Sequence, residues 1–186
     1  MNPETDAKAR RAKINYLGAG IQVVIPSRKN VAAILILSVW LSTWFTGETS
    51  SMGELFRQIS KKGSIFLIFW ISVWTLAGAV VFYHFFWMLA GRESITITQG
   101  VLRIERKIFG VGSTKEYPLF AIKNFRVVSI DKFDLKQDPK SLPKRGGKIA
   151  FDFESKTIGF ASALSEAEAK EVFELFRKNY YPNFAR

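Results

Sequence analysis

Hydrophobic and polar positions along this chain follow three regimes. A charged leader is followed by two long apolar runs, and the remainder alternates polar and apolar residues at short spacing. The first run, Val31–Thr46, reads VAAILILSVWLSTWFT without a charge. Sixteen residues in a helix rise about 24 Å, slightly less than the roughly 30 Å of a bilayer core. The second, Ser64–Ala90, is also uncharged, and its 27 residues rise about 40 Å. Gly63 and Gly91 bracket it. The pattern predicts a two-helix transmembrane hairpin over 31–46 and 64–90, joined by a loop from Gly47 to Gly63. A cleaved signal peptide does not fit the first run, because the leader is too long and no small-residue cleavage site follows.

From Glu93 onward the period changes to two. Ser94–Thr98 alternates, Gln99-Gly100 is a tight-turn pair, and Val101–Ile108 alternates again, with Arg103, Glu105 and Lys107 on the wet face. Phe109–Gly112 predicts the next turn. Ser113–Tyr117 and Asn124–Ile130 predict further strands, and Asp131–Gly147 a long loop. Lys148–Phe153 and Lys156–Phe160 predict a hairpin. Ser165–Glu168 has the S-x-x-E form of a capping box, opening a helix to about Asn179 whose apolar face is Ala169, Val172, Phe173, Phe176 and Tyr180. Successive antiparallel strands closed by one amphipathic helix predict an α+β domain over 91–186, a small barrel or sandwich capped by the helix.

In the leader, residues 1–30, Met1–Lys13 has the composition of a disordered segment. Ile21–Ile25 is strand-like and ends at Pro26. It either pairs with an edge of the C-terminal sheet or lies in the membrane interface with the first span.

Several stretches carry a resemblance: Ile25–Asn30 (IPSRKN) before the first span, the Gly91-Arg92-Glu93 entry, LRIERKIFGVGSTKEYPLFAIKNFRV at 102–127 and KIAFDFESKTIGFASALSEAEA at 148–169. With the order of elements, they resemble bacterial membrane proteins that carry a pleckstrin-homology-like domain after two transmembrane helices. The resemblance implies fold and a place at the inner membrane, and little mechanism. Inositol-lipid-binding members of the wider superfamily use a basic loop between their first two strands. Here the turn read as equivalent, Gln99-Gly100, has no charge.

Charge adds an orientation. The chain has 27 Lys and Arg against 16 Asp and Glu, a net charge of +11. Arg10, Arg11, Lys13, Arg28 and Lys29 precede the first span, and Arg92, Arg103, Arg106 and Lys107 follow the second. The connecting loop holds only Arg57, Lys61 and Lys62. Positive residues favour the cytoplasmic side, so both termini are expected there. A basic balance suits anionic lipid, and Lys140, Lys144, Arg145 and Lys148 are the expected contacts. Nucleic acid is a poor match, because the basic residues are mixed with acids and the Phe residues fall at core-facing positions.

Candidate chemistry is sparse. The absence of Cys excludes disulfides and thiolate catalysis, and one histidine, His84, makes a histidine metal site implausible. His84 is expected to be a packed or interfacial residue. Ser38, Ser42, Thr43, Ser72 and Thr75 are expected to bond their own helix backbone or glue the helices, and Gly78 offers a small surface for helix approach. Gly18-Ala-Gly20 lacks the third glycine of a dinucleotide loop. Asp131, Asp134 and Asp138 sit among lysines and read as solvated charge. No cofactor is implied. The expectation is a non-enzymatic module held at the membrane for a protein partner or self-association. The alternative is a subunit or assembly factor acting through its spans.

Overall fold

The computed structural model describes residues 11–58, 64–128 and 147–180. It divides into an α-helical unit, Arg28–Ala90, and a second unit formed by the chain on either side of it.

Among the described residues the second unit contains eight strands, a short 3-10 turn at Leu119–Ala121 and one α-helix. Strands β1 (Lys13–Leu17), β2 (Gly20–Pro26), β3 (Gly91–Thr98), β4 (Val101–Ile108) and β5 (Val111–Pro118) form an antiparallel sheet in that spatial order. β6 (Lys123–Val127), β7 (Ile149–Phe153) and β8 (Lys156–Phe160) form a smaller antiparallel sheet, and α3 spans Glu166–Tyr180. Core-facing alternation supplies Val23, Ile25, Ile95, Ile97 and Leu102 from the large sheet. Ile149, Phe151 and Phe160 come from the small sheet, and Ala169, Val172 and Phe176 from α3. Phe173 and Tyr180, expected on the same helix face, are half-buried against this core. The capping box is formed reciprocally. Ser165 Oγ accepts from the Glu168 amide at 3.2 Å, and Glu168 Oε2 accepts from the Ser165 amide at 2.8 Å.

The leader resolves the open alternative. Ile21–Ile25 lies inside β2, paired with β3 from Ile21↔Ile97 to Pro26↔Arg92. An unanticipated strand, β1, precedes it, and Gly18-Ala-Gly20 leads from one strand into the next rather than into a helix. The helical unit is therefore an insertion between two hydrogen-bonded neighbours of one sheet. The Ser27 amide donates to the Gly91 carbonyl at 2.9 Å, which holds the two ends of the insertion together.

Of the barrel or sandwich expected, two antiparallel sheets form and the barrel does not close. Among the described residues β5 pairs only with β4, and β8 only with β7. The gap between these edges is spanned by a side chain, Arg106, donating to the Gly159 carbonyl at 3.2 Å, and not by a backbone ladder. The turn expected at 109–112 is shorter: Phe109 and Gly110 alone form it, and Val111 and Gly112 belong to β5.

The helical unit is an antiparallel pair, α1 (Val31–Gln58) and α2 (Ser64–Ala90). Asn30 Oδ1 accepts from the Ala33 amide at 3.1 Å and caps α1. α1 corrects the expected loop start at Gly47, for the helix runs on through it. One glycine costs a helix only about 1 kcal/mol, and the next turns carry their own support. Thr49 and Ser50 hydroxyls bond the Phe45 and Thr46 carbonyls at 2.9 Å, and Arg57 pairs with Glu54 at 2.8 Å. Both helices are long and apolar enough to cross a membrane. Only 6% and 11% of their most apolar stretches are buried, whereas a core helix of a water-soluble fold would be mostly covered.

Candidate functional site

Of the four basic residues expected to meet lipid, Lys140, Lys144 and Arg145 lie outside the described residues, as do Asp131, Asp134 and Asp138. Lys148 is half-buried just before β7, with its carbonyl accepting from the Val128 amide at 2.8 Å. Arg103, Lys107 and Lys115 do not share one basic face. Arg103 and Lys107 occupy the outer face and are neutralised, Arg103 by Glu116 at 2.7 Å and Lys107 by Glu105 at 3.0 Å. Lys115 stands opposite Ile104, on the other face.

That face borders a cavity of about 160 Å³ in the gap between β5 and β8. Ile104, Tyr117 and Ile158 give it apolar walls. Arg106, Lys115 and Lys156 bring three cations, and Ser113 and Thr157 bring hydroxyls. Tyr117 is fixed edge-on between Phe151 and Phe153, with ring centroids 5.1 Å from each. Lys115 and Lys156 are exposed and make no ion pair among the described residues. Arg106 is different: it donates to Glu93 Oε1 at 2.8 Å. Glu93 is the anchor of the gap, because its other oxygen accepts from the Ala161 amide at 2.8 Å, tying the large sheet to the segment after β8. Among the described residues the gap thus combines a buried Glu93–Arg106 pair with two exposed cations that make no ion pair and two strand edges that pair on one side only. Such a volume holds one apolar side chain and is well below the roughly 300–1,000 Å³ usual for a small-molecule or cofactor pocket.

Sequence reasoning missed Arg106 and Lys156. A signal for the first was present: Leu102, Ile104, Arg106 and Ile108 share one phase of β4, so Arg106 is a charge in core register. Glu93 is its complement, directly opposite in β3.

A second polar group, on the small sheet, is internally satisfied. Asp152 accepts from Thr157 at 2.8 Å, Asn124 at 3.0 Å and Arg126 at 3.1 Å. Partial burial works to raise its pKa, but these bonds outweigh it and hold Asp152 below the ordinary carboxylate range. Glu168 is likewise held low against partial burial, by the amides of Ser165 and Arg11 and the Ser165 hydroxyl. Burial raises the Tyr180 phenol.

In the helical unit Ser38, Ser42, Thr43 and Ser72 bond carbonyls one turn back, as expected. Thr75 takes the other expected role and joins the helices: its hydroxyl donates to Glu48 Oε1, while Glu48 Oε2 is buried without a partner among the described residues. Glu48 was missed because the first span was ended two residues before it. Gly78 takes the Trp44 indole so closely that an added Cβ would meet its Cζ2 at 2.2 Å. Trp44 Nε1 donates to the Trp74 carbonyl at 3.3 Å, and its ring meets Phe82 edge-on at 5.6 Å. His84 is exposed, 5.6 Å from the Tyr83 ring. Among the described residues no cluster of three or more His, Asp or Glu is placed to hold a metal.

No protein-family model matches the chain, and neither the curated proteins nor the solved structures contain a significant match.

Proposed function

We propose that this chain is a membrane-anchored, non-enzymatic interaction module. In this reading α1 and α2 cross the bacterial inner membrane as a hairpin with both termini cytoplasmic. The folded unit, a pleckstrin-homology-like domain left open between β5 and β8, offers that gap to a protein partner or a second copy. The observation that carries the proposal is the insertion of two long, exposed, apolar helices between adjacent strands of a complete folded unit. A loop insertion of this kind has no cheap place in water, because exposed apolar surface costs about 25 cal/mol per Å². The order of strands, the C-terminal amphipathic helix and the charge bias around the spans support the finer parts of the reading. Lys140, Lys144, Arg145 and Lys148 are assigned to anionic headgroups, each adding about 1 kcal/mol where it reaches them.

The gap suits an extended segment. Unpaired strand edges recruit strands, and a cavity between them takes one alternate side chain. The test is site-specific photocrosslinking from Thr157 in intact membranes. A discrete crosslinked protein or homodimer is expected, lost on combined Lys115→Glu and Lys156→Glu and retained on Arg103→Glu. No crosslinked species, or one indifferent to the charge reversals, overturns the role of the gap.

A second reading, a subunit or assembly factor acting through the spans, is favoured by the unpartnered Glu48 oxygen, because ionisable groups at membrane depth are costly and usually functional. Exchange of both spans for unrelated apolar helices separates the two. Function survives under the first reading and is lost under the second.

A further inference from the structure

The strongest unassigned feature is the tip of the β4–β5 hairpin. Phe109 is 72% exposed and Val111 80%, on either side of Gly110. The tip is also conformationally costly. Phe109 has φ 50° and Gly110 φ 88°, positive at both centres as in a type I′ turn, where Asn-Gly is the favoured pair. A bulky side chain seldom occupies the left-handed region. The β3–β4 turn has the same geometry, with φ 49° and 77°, and places Gln99 at the equivalent position.

Register distinguishes the two turns. Gly91 pairs with Ile108, and Ile108 with Val111, so the Phe109 tip lies at the end of the sheet where the chain enters from Ala90. Pro26 pairs with Arg92, so the other strand joined to the helical insertion reaches the same end. Gln99 lies at the far end, beyond Thr98↔Val101. Directly paired strands are about 5 Å apart, so Phe109 and Val111 are within a few residues' width of the point where a helix leaves the sheet. Arg28, Lys29 and Arg92 flank these exits in sequence.

We infer that the Phe109-Gly110-Val111 tip is a lipid-contacting wedge, inserted at the headgroup–acyl boundary of the bilayer in which the helices are anchored. The inference rests on the membrane reading above. Its occupant is the lipid surface because the exposed apolar turn lies at the end of the sheet from which the chain leaves for the helices and to which it returns, while its polar counterpart lies at the far end. The cost of a left-handed Phe is then offset by transfer of its ring out of water.

The chain contains no cysteine, so single labels are unambiguous. Full-length Phe109→Cys, Val111→Cys and Gln99→Cys, each carrying an environment-sensitive fluorophore, are reconstituted in phosphatidylethanolamine–phosphatidylglycerol vesicles. Labels at 109 and 111 are expected to lose quenching by iodide and to gain it from shallow doxyl-labelled lipid, with the reverse at 99. Val111→Cys keeps the test valid where a change at the turn itself disturbs folding. Labels at 109 and 111 as open to iodide as the one at 99, in a chain that remains in the pellet after alkaline carbonate, overturn the wedge and leave the anchor standing. Release of the chain by carbonate overturns the anchor, and the wedge with it.

Discussion

Glu93 and Arg106 face each other across β3 and β4 with 2.8 Å between carboxylate and guanidinium, and the Glu93 side chain is only 5% exposed. This pair holds the two sheets where no backbone ladder joins them, since Glu93 also accepts from the Ala161 amide and Arg106 donates to the Gly159 carbonyl. Removing one member of a buried pair leaves an uncompensated charge, at a cost of about 3–5 kcal/mol. Arg106 is partly exposed, which places Glu93→Ala near the lower end of that range. Thermal unfolding of the protein in detergent is expected to show a large loss for Glu93→Ala and a smaller one for Glu93→Gln, which retains an acceptor for Ala161. Equal stability of Glu93→Ala and the parent chain contradicts the latch.

Acid should weaken the folded unit through Asp152 and Glu168. Both carboxyls have pKa values lowered by folding. Their contribution is therefore complete above the unfolded-state values, about 4, and is lost as pH falls through the lower folded-state values. Stability is expected to decline below about pH 4, and Asp152→Asn should flatten part of that decline. An unfolding midpoint with the same pH dependence in Asp152→Asn as in the parent chain rules out this origin.

Gly78 has no room for a side chain beneath Trp44. Gly78→Val is expected to separate α1 from α2 and lower the detergent melting temperature, with partial recovery when Trp44→Ala is added. Overpacking of this kind typically costs about 1–3 kcal/mol. A Gly78→Val protein as stable as the parent, with unchanged crosslinking between the helices, disproves the contact.

The Phe109 turn makes an opposite prediction. Phe109→Asn supplies a residue that tolerates left-handed backbone, relieving a strain of about 1 kcal/mol. In detergent, the folded unit should therefore be no less stable than the parent. Marked destabilisation of Phe109→Asn would mean that the ring supports the fold rather than facing outward.

Much of the folded unit was legible from local pattern. β4 and β8 have their expected bounds, Gln99-Gly100 is the expected two-residue turn, and the Ser165–Glu168 box opens α3. These features depend on neighbours within a few residues, where alternation and capping act. β1 was less legible because its five residues are all exposed, so no buried phase marks it. The end of α1 was misread because glycine and a carboxylate resemble a loop when their surroundings are unknown. Thr75, distant in sequence, gives Glu48 a partner.

By itself the sequence determined two helices long and apolar enough to cross a membrane, an alternating strand region and a capped C-terminal helix, because each is a periodic or short-range property. Tertiary structure alone decided that Ile21–Ile25 joins β3, that the helices are an insertion between neighbouring strands, and that β5 and β8 do not pair with each other. Those outcomes depend on pairings such as Val23 with Ile95 and Glu93 with Ala161, whose partners are far apart in the chain and invisible to any local period.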